Sequence, residues 1–187
     1  AELGCSLADA YSYFDETPFA AASTAQVHKA LLLDGTPVVV KVQRPNIVPK
    51  IQADLEILGE VLVTLQDRIE WVRNSDILGI FDEFAANLRE ELDYRIEMFN
   101  ARRLADNMTD FSRVSVPKMY PHYTTAKVLT MDLVQGVKII RTDEIAAAGW
   151  DPKELAAYFL QVMIKQIIFD GYFHGDAHPG NIWCDLR

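Results

Sequence analysis

The chain has few of the features that mark secreted, membrane-spanning or nucleic-acid-binding proteins. It contains only two cysteines, Cys5 and Cys184, without the spacing of a metal or redox pair, so reduced thiols are expected. It has no apolar run of about 18 residues, the length that spans a bilayer, and no visible signal or transit peptide. Its 18 Lys and Arg against 27 Asp and Glu give a formal net charge of −9. A nucleic-acid partner is not expected, because such a binding surface would be basic.

The segment from His174 to Asn181 (HGDAHPGN) carries the strongest chemical signal. It has the spacing H-x-D-x-x-x-x-N of the protein-kinase catalytic loop, in which the Asp orients or deprotonates the acceptor and the Asn holds Mg²⁺ against the phosphates. On this template Asp176 is the catalytic carboxylate, Asn181 is the Mg²⁺ ligand and His174 braces the loop. Two alternatives are an ordinary polar turn and a zinc site formed by His174, Asp176 and His178.

A lysine stands inside a β-branched run, Val38-Val39-Val40-Lys41-Val42. Burying an ammonium group is costly unless it has an anionic partner. In protein kinases the strand lysine pairs with the α/β-phosphates of ATP and with a helix glutamate. The alternative is an edge strand with an outward-facing lysine. The order of Lys41 before the H-x-D-x-x-x-x-N segment favours the ATP site.

Glycine is missing where a kinase has its phosphate-binding loop. The segment Pro18–Ala30 (PFAAASTAQVHKA) contains alanines instead. Alanine is far more restricted in φ than glycine, so this loop must cover a nucleotide differently from the loop of an ordinary kinase. Ala21, Ala22 and Ser23 are the candidate contacts, with the Ser23 hydroxyl as a donor to phosphate. A plain strand and turn fits the composition equally well.

The segment Glu91–Asn100 (ELDYRIEMFN) is the candidate helix for the carboxylate partner of Lys41. Helical spacing places Asp93, Glu97 and Asn100 on one face and Glu91 on another. Taken alone, such a charged stretch is more often a solvated helix face.

Together these segments resemble the AarF/UbiB family of atypical, protein-kinase-like proteins, over nearly the whole chain. The matching segments are the alanine-rich loop Pro18–Ala30, the lysine strand Val39–Pro45 (VVKVQRP), the E-x-D element Glu91–Asp93, the E-x-x-N element Glu97–Asn100, the hinge Val128–Gly136 (VLTMDLVQG) and the loop His174–Asn181. The resemblance implies an α+β, protein-kinase-like fold of two lobes. A β-rich N-lobe with long inserted helices takes residues 1–134, and a truncated helical C-lobe takes residues 135–187.

The resemblance also implies ATP and Mg²⁺ as cofactors and assigns roles to individual residues. Lys41 would pair with Glu97 and with the α/β-phosphates. The main chain of Asp132 and Val134 would hydrogen-bond adenine, with Met131 at the back of the pocket. Asp176 would be catalytic and Asn181 a Mg²⁺ ligand, facing Lys41 across a cleft between the lobes.

The function implied by the resemblance is an ATPase or a non-protein kinase that supports isoprenoid-quinone metabolism. Partners would be quinone lipids or quinone-biosynthesis proteins, and the parent protein would be associated with a bacterial inner membrane, a mitochondrion or a plastid. One alternative is a small-molecule phosphotransferase of the aminoglycoside or choline kinase type, which also uses H-G-D-x-x-x-x-N. The motifs PFAAAS, KVQRP and ELDYRIE favour AarF/UbiB. The other alternative is a non-catalytic pseudokinase that binds lipid or a partner.

Two elements of the family are missing from the sequence. K-x-G-Q does not precede the alanine-rich loop, and D-F-G, whose Asp is the main Mg²⁺ ligand, would be expected roughly a dozen residues after Asn181. The chain begins at Ala1 and stops at Arg187. We therefore expect an internal fragment of a longer protein, inactive on its own because it lacks a metal ligand.

Hydrophobic periodicity and turn residues predict the order of the elements. Residues 2–14 read as the end of a helix, residues 18–43 as strands joined by an Asp34-Gly35 turn, and residues 114–134 as extended chain. Helices are predicted from the region of residue 51 to Ile69, from Asp76 to about Asn107, and from Asp151 to Gly171. An apolar stripe in the first of these helices is predicted to lie in the core; its residues are Ile51, Leu55, Leu58, Leu62, Leu65 and Ile69.

Overall fold

The computed structural model describes residues 2–186 and divides them into two compact units. The first unit runs through Met98 and includes Met119–Met131; the second comprises Phe99–Lys118 and the residues from Asp132 onward. Ala1 and Arg187, the outermost positions of the two predicted lobes, lie outside the described residues. The predicted lobe boundary between residues 134 and 135 stays a prediction.

The first unit is built on a five-stranded sheet. Its strands are β1 (Tyr11–Phe14), β2 (Ala20–Ala21), β3 (Ala25–Leu32), β4 (Pro37–Gln43) and β5 (Val128–Asp132). The strand order is β1-β3-β4-β5, and β2 pairs with β3. Strands β1, β2 and β4 all run antiparallel to β3, which confirms the predicted strands in residues 18–43.

The predicted Asp34-Gly35 turn connects β3 to β4. Gly35 has a φ of +84°, a region that residues with a side chain rarely adopt. The Asp34 carboxylate accepts a hydrogen bond of 2.9 Å from the Thr36 N–H and so holds the turn. The turn sets the register that pairs Val27 with Lys41 further along the two strands.

One face of this sheet forms the core of the unit. Its buried members are Ala10, Tyr11, Ala30, Leu32, Val38, Val40 and Val128. Alternate positions of β3 are buried, as expected for a strand with one solvated face. The buried hydroxyls of Tyr11 and Thr130 lie 3.0 Å apart, so these polar groups hydrogen-bond to each other inside the core.

Among the described residues, a short 3₁₀ helix (Pro121–Tyr123) and five α-helices accompany the sheet. The α-helices are α1 (Leu7–Ala10), α2 (Ile47–Arg68), α3 (Glu70–Arg73), α4 (Ile77–Glu90) and α5 (Tyr94–Asn107), the last of which is shared between the two units. The predicted helix in residues 2–14 is confirmed only for Leu7–Ala10, because the residues before it form a turn and Tyr11–Phe14 pairs with β3. The predicted extended chain at 114–134 is a strand only at β5, with a bridge from Met119 to Met131.

Helix α2 is confirmed, but the prediction that its apolar stripe is core is wrong for part of the stripe. Leu55 is only 5% exposed, whereas Leu58 and Leu65 are 42% and 36% exposed. Helix α4 packs close to α2 at Gly59, where a Cβ atom would lie 3.2 Å from the ring of Phe81. Part of the apolar face of α2 is therefore open to solvent.

The predicted continuous helix from Asp76 to Asn107 is wrong, because residues 91–93 form a turn between α4 and α5. Contacts with distant residues hold this turn: Gln43 Nε2 donates to the Leu92 carbonyl at 2.9 Å, and the Tyr94 N–H donates to the Ala126 carbonyl at 3.1 Å. The expected helical face shared by Asp93 and Glu97 is therefore absent, since Asp93 precedes the helix.

The second unit is mostly helical. Its further elements are β6 (Val137–Lys138), α6 (Thr142–Ala147), α7 (Pro152–Ile164), a π-helical turn (Lys165–Phe169) and β7 (Trp183–Cys184), and β6 pairs antiparallel with β7. The predicted start of a helix at Asp151 is confirmed, because the Asp151 carboxylate caps α7 by accepting from the Lys153 N–H at 2.9 Å. Gly136 has a φ of +131°, and a Cβ atom there would lie 2.3 Å from the Cys184 carbonyl oxygen. Only glycine fits where these two strands approach.

Cys5 and Cys184 are free thiols. Within residues 2–186, none of the helices combines the length and the apolar character needed to cross a membrane.

Candidate active site

Lys41 projects from β4 and meets a carboxylate from α5. Its Nζ lies 2.7 Å from Glu97 Oε2, well inside the usual limit of about 4 Å for an ion pair. The side chains of Lys41 and Glu97 are 21% and 40% exposed, so the pair is half-buried. The expected contact is therefore present, with Glu97 as the partner and neither Glu91 nor Asp93 in its place.

An aromatic ring also contacts the ammonium group of Lys41. The centroid of the Tyr94 ring lies 4.8 Å from Lys41 Nζ, and Tyr94 is 1% exposed. Sequence reasoning missed this residue. The signal was available, because Tyr94 and Glu97 stand three positions apart at the start of α5 and so share a helix face.

The two acidic residues of the E-x-D element do not contact Lys41. Asp93 pairs with Arg95, with 2.6 Å between Oδ2 and Nη2, and the Arg95 guanidinium holds the pKa of the Asp93 carboxyl below its usual range. The same carboxylate accepts from the Arg95 N–H at 3.0 Å, at the start of α5. Glu91 is exposed in the turn. Asp93 thus shapes the beginning of the helix that presents Glu97.

The alanine-rich loop forms a tight hairpin between β2 and β3. Ala21 pairs with Gln26, and the Ala22 N–H donates to the Ala25 carbonyl at 2.9 Å. Ala21, Ala22 and Ser23 are exposed at the tip. The main chain of Arg44, just beyond β4, donates to the Thr24 carbonyl at 2.9 Å, which ties the base of the loop to the end of the lysine strand.

The hinge residues lie at and just after the end of β5. Met131 forms the bridge to Met119. The Asp132 N–H donates to the Lys118 carbonyl at 3.0 Å, and the Asp132 carboxylate accepts from the Lys118 N–H at 3.2 Å. Among the described residues, no acceptor takes the N–H of Val134. An adenine edge requires one main-chain acceptor and one main-chain donor. The assignment of these roles to the Asp132 carbonyl and the Val134 N–H stays a prediction.

The loop of residues 174–181 is braced by its own side chains. Asn181 Nδ2 donates to Asp176 Oδ2 at 2.9 Å and to the Asp176 carbonyl at 3.1 Å. His174 Nδ1 accepts from the Asp176 N–H at 3.1 Å, which is the bracing contact expected of His174. His178 Nδ1 accepts from the Gly180 N–H at 2.9 Å. The second unit therefore brings His174, Asp176 and Asn181 together.

The π-helical turn before the loop anchors it. Gln166 is 5% exposed, and its Oε1 accepts from the His174 N–H at 3.0 Å. The neighbouring Lys165 donates to both carboxylate oxygens of Asp170 at 2.8 Å and to the Asn107 carbonyl at 2.6 Å. Gln166 was also missed by sequence reasoning. Its only signal was its place in a polar pair, Lys165-Gln166, inside an otherwise apolar run.

The loop of residues 174–181 contains side-chain oxygens of the chemical type that binds Mg²⁺. Carboxylate and amide oxygens are the ligands that Mg²⁺ prefers, usually one or two of them together with substrate phosphates. Because Asn181 Nδ2 faces Asp176, the amide oxygen is the end left to bind a cation. Within residues 2–186, no group of three or more His, Cys, Asp or Glu side chains converges as a metal site. The zinc alternative gains no support, since the Nδ1 atoms of both His174 and His178 accept main-chain hydrogen bonds.

Comparison with known proteins places the chain in a family. The family model described as the ABC1 atypical kinase-like domain matches residues 1–187. The chain belongs to the ABC1 atypical kinase-like family. The resemblance to AarF/UbiB is thereby confirmed, because the relatives include UbiB as well as ABC1 kinases.

Two curated ABC1 relatives and one solved structure illustrate the match. "Protein ACTIVITY OF BC1 COMPLEX KINASE 8, chloroplastic" of Arabidopsis thaliana is 40% identical over 187 residues, covering 98% of this chain and 24% of that protein. "Probable protein kinase UbiB" of Histophilus somni is 37% identical over 187 residues, covering 98% of this chain and 34% of that protein. The chain thus spans about a quarter to a third of these relatives.

The solved structure is that of Rv3197 in complex with erythromycin, from Mycobacterium tuberculosis. It is 32% identical, has a TM-score of 0.75 and covers 96% of this chain and 44% of that one. Together with the family match, it confirms the expected α+β, protein-kinase-like fold of this ABC1 domain.

Proposed function

We propose that this ABC1 domain binds ATP as part of an ATP-dependent phosphotransferase or ATPase. The observation that carries the proposal is the ion pair between Lys41 and Glu97, at 2.7 Å. A strand lysine held by a helix glutamate is the arrangement with which protein kinases bind the ATP phosphates. An outward-facing edge lysine, the alternative, would not require a carboxylate from a distant helix.

Each candidate residue has a definite task in this proposal. Lys41 binds the α/β-phosphates, and the exposed tip formed by Ala21, Ala22 and Ser23 covers them. The Asp132 carbonyl and the Val134 N–H bind adenine, with Met131 behind it.

Chemistry is assigned to the loop of residues 174–181. Asp176 orients the acceptor hydroxyl or water and takes its proton as the bond from the acceptor oxygen to the γ-phosphorus forms. The bond from that phosphorus to the ADP oxygen breaks in the same transfer. Asn181, together with the phosphates, holds Mg²⁺, which neutralises phosphate charge when it is bound.

The biological setting is inferred from the family resemblance. We infer that the whole protein supports isoprenoid-quinone metabolism and is membrane-associated, with quinone lipids or quinone-biosynthesis proteins as partners. A relative named chloroplastic and a bacterial relative named UbiB support a plastid or a bacterium as the setting.

Substitution of Asp176 and Lys41 in the full-length protein tests the proposed chemistry. Asp176 acts mainly in the transition state, so Asp176→Asn should lower ATP turnover by roughly 10²-fold or more, while ATP affinity changes only a few-fold. Lys41 contacts the bound nucleotide, so Lys41→Ala should lower both affinity and turnover. ATP hydrolysis and binding of a fluorescent ATP analogue measure the two quantities separately.

Asp110→Asn is a matched control, because Asp110 is an exposed carboxylate in the same unit. It should leave both quantities unchanged. Unaltered turnover in Asp176→Asn would exclude the enzyme and favour a non-catalytic scaffold.

A further inference from the structure

We propose that Tyr94 is a positioning residue that holds the Lys41 ammonium group where ATP phosphates bind; the inference rests on the proposed function. The Tyr94 ring centroid is 4.8 Å from Lys41 Nζ, within the distance of about 6 Å at which a cation is attracted to an aromatic face. Glu97 holds the same nitrogen at 2.7 Å. The lysine is thus restrained by two groups from one helix face.

Tyr94 is itself fixed with respect to the strand that carries Lys41. Its N–H donates to the Ala126 carbonyl at 3.1 Å, two residues before β5. The carbonyl of Leu92, in the turn before it, accepts at 2.9 Å from Gln43, a residue of β4 like Lys41. The backbone that carries the ring is therefore held by contacts that do not involve the hydroxyl group.

Within residues 2–186, the buried hydroxyl group of Tyr94 makes no hydrogen bond of normal geometry, and the nearby Thr24 side chain only partly offsets the effect of burial on its pKa. Burial raises the pKa of this hydroxyl, so it stays neutral and adds no charge beside Lys41. The effect on Lys41 is therefore assigned to the face of the ring.

Restraint of the lysine has a consequence for affinity. A lysine side chain has four flexible carbons and loses rotamer freedom when its ammonium group is fixed by a ligand. A group that is already held in its bound position loses less freedom, which raises affinity without a new contact to the ligand. Tyr94 should thus act on ATP binding through Lys41 alone.

The test varies the charge of the ring face at constant shape, in the full-length protein. Tyr94→Phe keeps the face and should leave ATP affinity within about twofold of the unchanged protein. Replacement of Tyr94 by pentafluorophenylalanine keeps the shape but reverses the charge of the face, and should weaken ATP binding by roughly 3- to 10-fold. The same replacement in a Lys41→Ala background should have no further effect, because the group on which Tyr94 acts is gone.

Tyr11 supplies a matched control. It is 3% exposed in the same unit, and its ring packs against Phe14 and Tyr123, so pentafluorophenylalanine at Tyr11 should leave ATP affinity unchanged. Equal affinity of the two Tyr94 variants, or equal weakening with and without Lys41, would overturn the role of Tyr94. If Lys41→Ala itself leaves ATP affinity intact, the proposed function fails, and that result is separate from the comparison of rings.

Discussion

The ion pair of Lys41 contributes little to stability, although it requires a strand and a distant helix to come into close contact. The side chains of the pair are 21% and 40% exposed, so water screens their attraction. Solvent-exposed ion pairs contribute about 0–1 kcal/mol to the stability of the folded protein. Folding alone therefore gives little reason to bring Glu97 from α5 to within 2.7 Å of a strand lysine. We therefore attribute the arrangement to the proposed binding of ATP phosphates by Lys41.

Two buried tyrosines give a test of this local structure. The Tyr94 hydroxyl makes no hydrogen bond of normal geometry among the described residues, whereas the Tyr11 hydroxyl bonds to Thr130 Oγ1 at 3.0 Å. Leaving a buried polar group unpaired costs about 1–3 kcal/mol, so Tyr94→Phe should be neutral or stabilising. Tyr11→Phe should destabilise by about 1 kcal/mol, because Thr130 loses a partner. Chemical denaturation of both variants gives the comparison.

A clear loss of stability in Tyr94→Phe would show that its hydroxyl has a partner in solution. The nearby Thr24 side chain, which partly offsets the rise in the pKa of Tyr94, is the candidate partner. A Thr24→Val variant would then show the same loss.

Single residues of the site differed in how well the sequence predicted them. The contact of Lys41 with Glu97 was predictable because both lie in motifs with kinase-like order and spacing. Tyr94 lies in the same motif as Glu97, but its role depends on the ring meeting a cation from a strand distant in sequence. That placement follows from tertiary packing, which local patterns do not encode.

At the scale of elements, the α4–α5 junction shows why helix boundaries were harder to predict than helices. Charged and apolar residues continue through residues 91–93 with helical spacing, so the sequence predicts no break. The break is held by Gln43 and Ala126, which are far away in the chain. Strong local signals, such as the Asp151-Pro152 start of α7 and the Asp34-Gly35 turn, were predicted correctly because their own side chains form them.

The loop of residues 174–181 is joined to the π-helical turn by one buried amide, that of Gln166. Gln166→Leu removes the acceptor of the His174 N–H and puts an apolar side chain of similar size in its place. A hydrogen bond of this kind contributes about 1 kcal/mol, so amide hydrogen exchange across residues 174–181 should rise by roughly 5- to 10-fold. Exchange in the helix α7 should change little.

Gln161→Leu is the matched control, because Gln161 is an exposed residue of α7. It should leave exchange in residues 174–181 unaltered. Equal exchange in the Gln166 and Gln161 variants would mean that the loop is held by its own contacts, chiefly those of Asn181 and His174, and needs no anchor.

At the scale of the whole molecule, fold class was more predictable than burial. The α+β, kinase-like fold follows from motifs that occur in a fixed order, and such order survives wide variation elsewhere. The apolar stripe of α2 was interpreted as core because periodicity shows which face of a helix is apolar. Periodicity does not show how much of that face another element covers, and α4 leaves Leu58 and Leu65 at least one-third exposed.

This difference between periodicity and burial can be measured with two leucines of α2. Leu55 is 5% exposed and Leu58 is 42% exposed, three positions further along the same helix. Leu55→Ala should cost about 2–5 kcal/mol in the free energy of unfolding, since it leaves a cavity. Leu58→Ala should cost less than about 1 kcal/mol, because the Leu58 side chain is still largely in contact with water in the folded protein. Denaturant unfolding of the 187-residue chain and of the full-length protein gives both values. Leu58→Ala could instead cost as much as Leu55→Ala in the full-length protein but not in the 187-residue chain. That result would mean that, in the full-length protein, residues beyond those described cover the open face of α2.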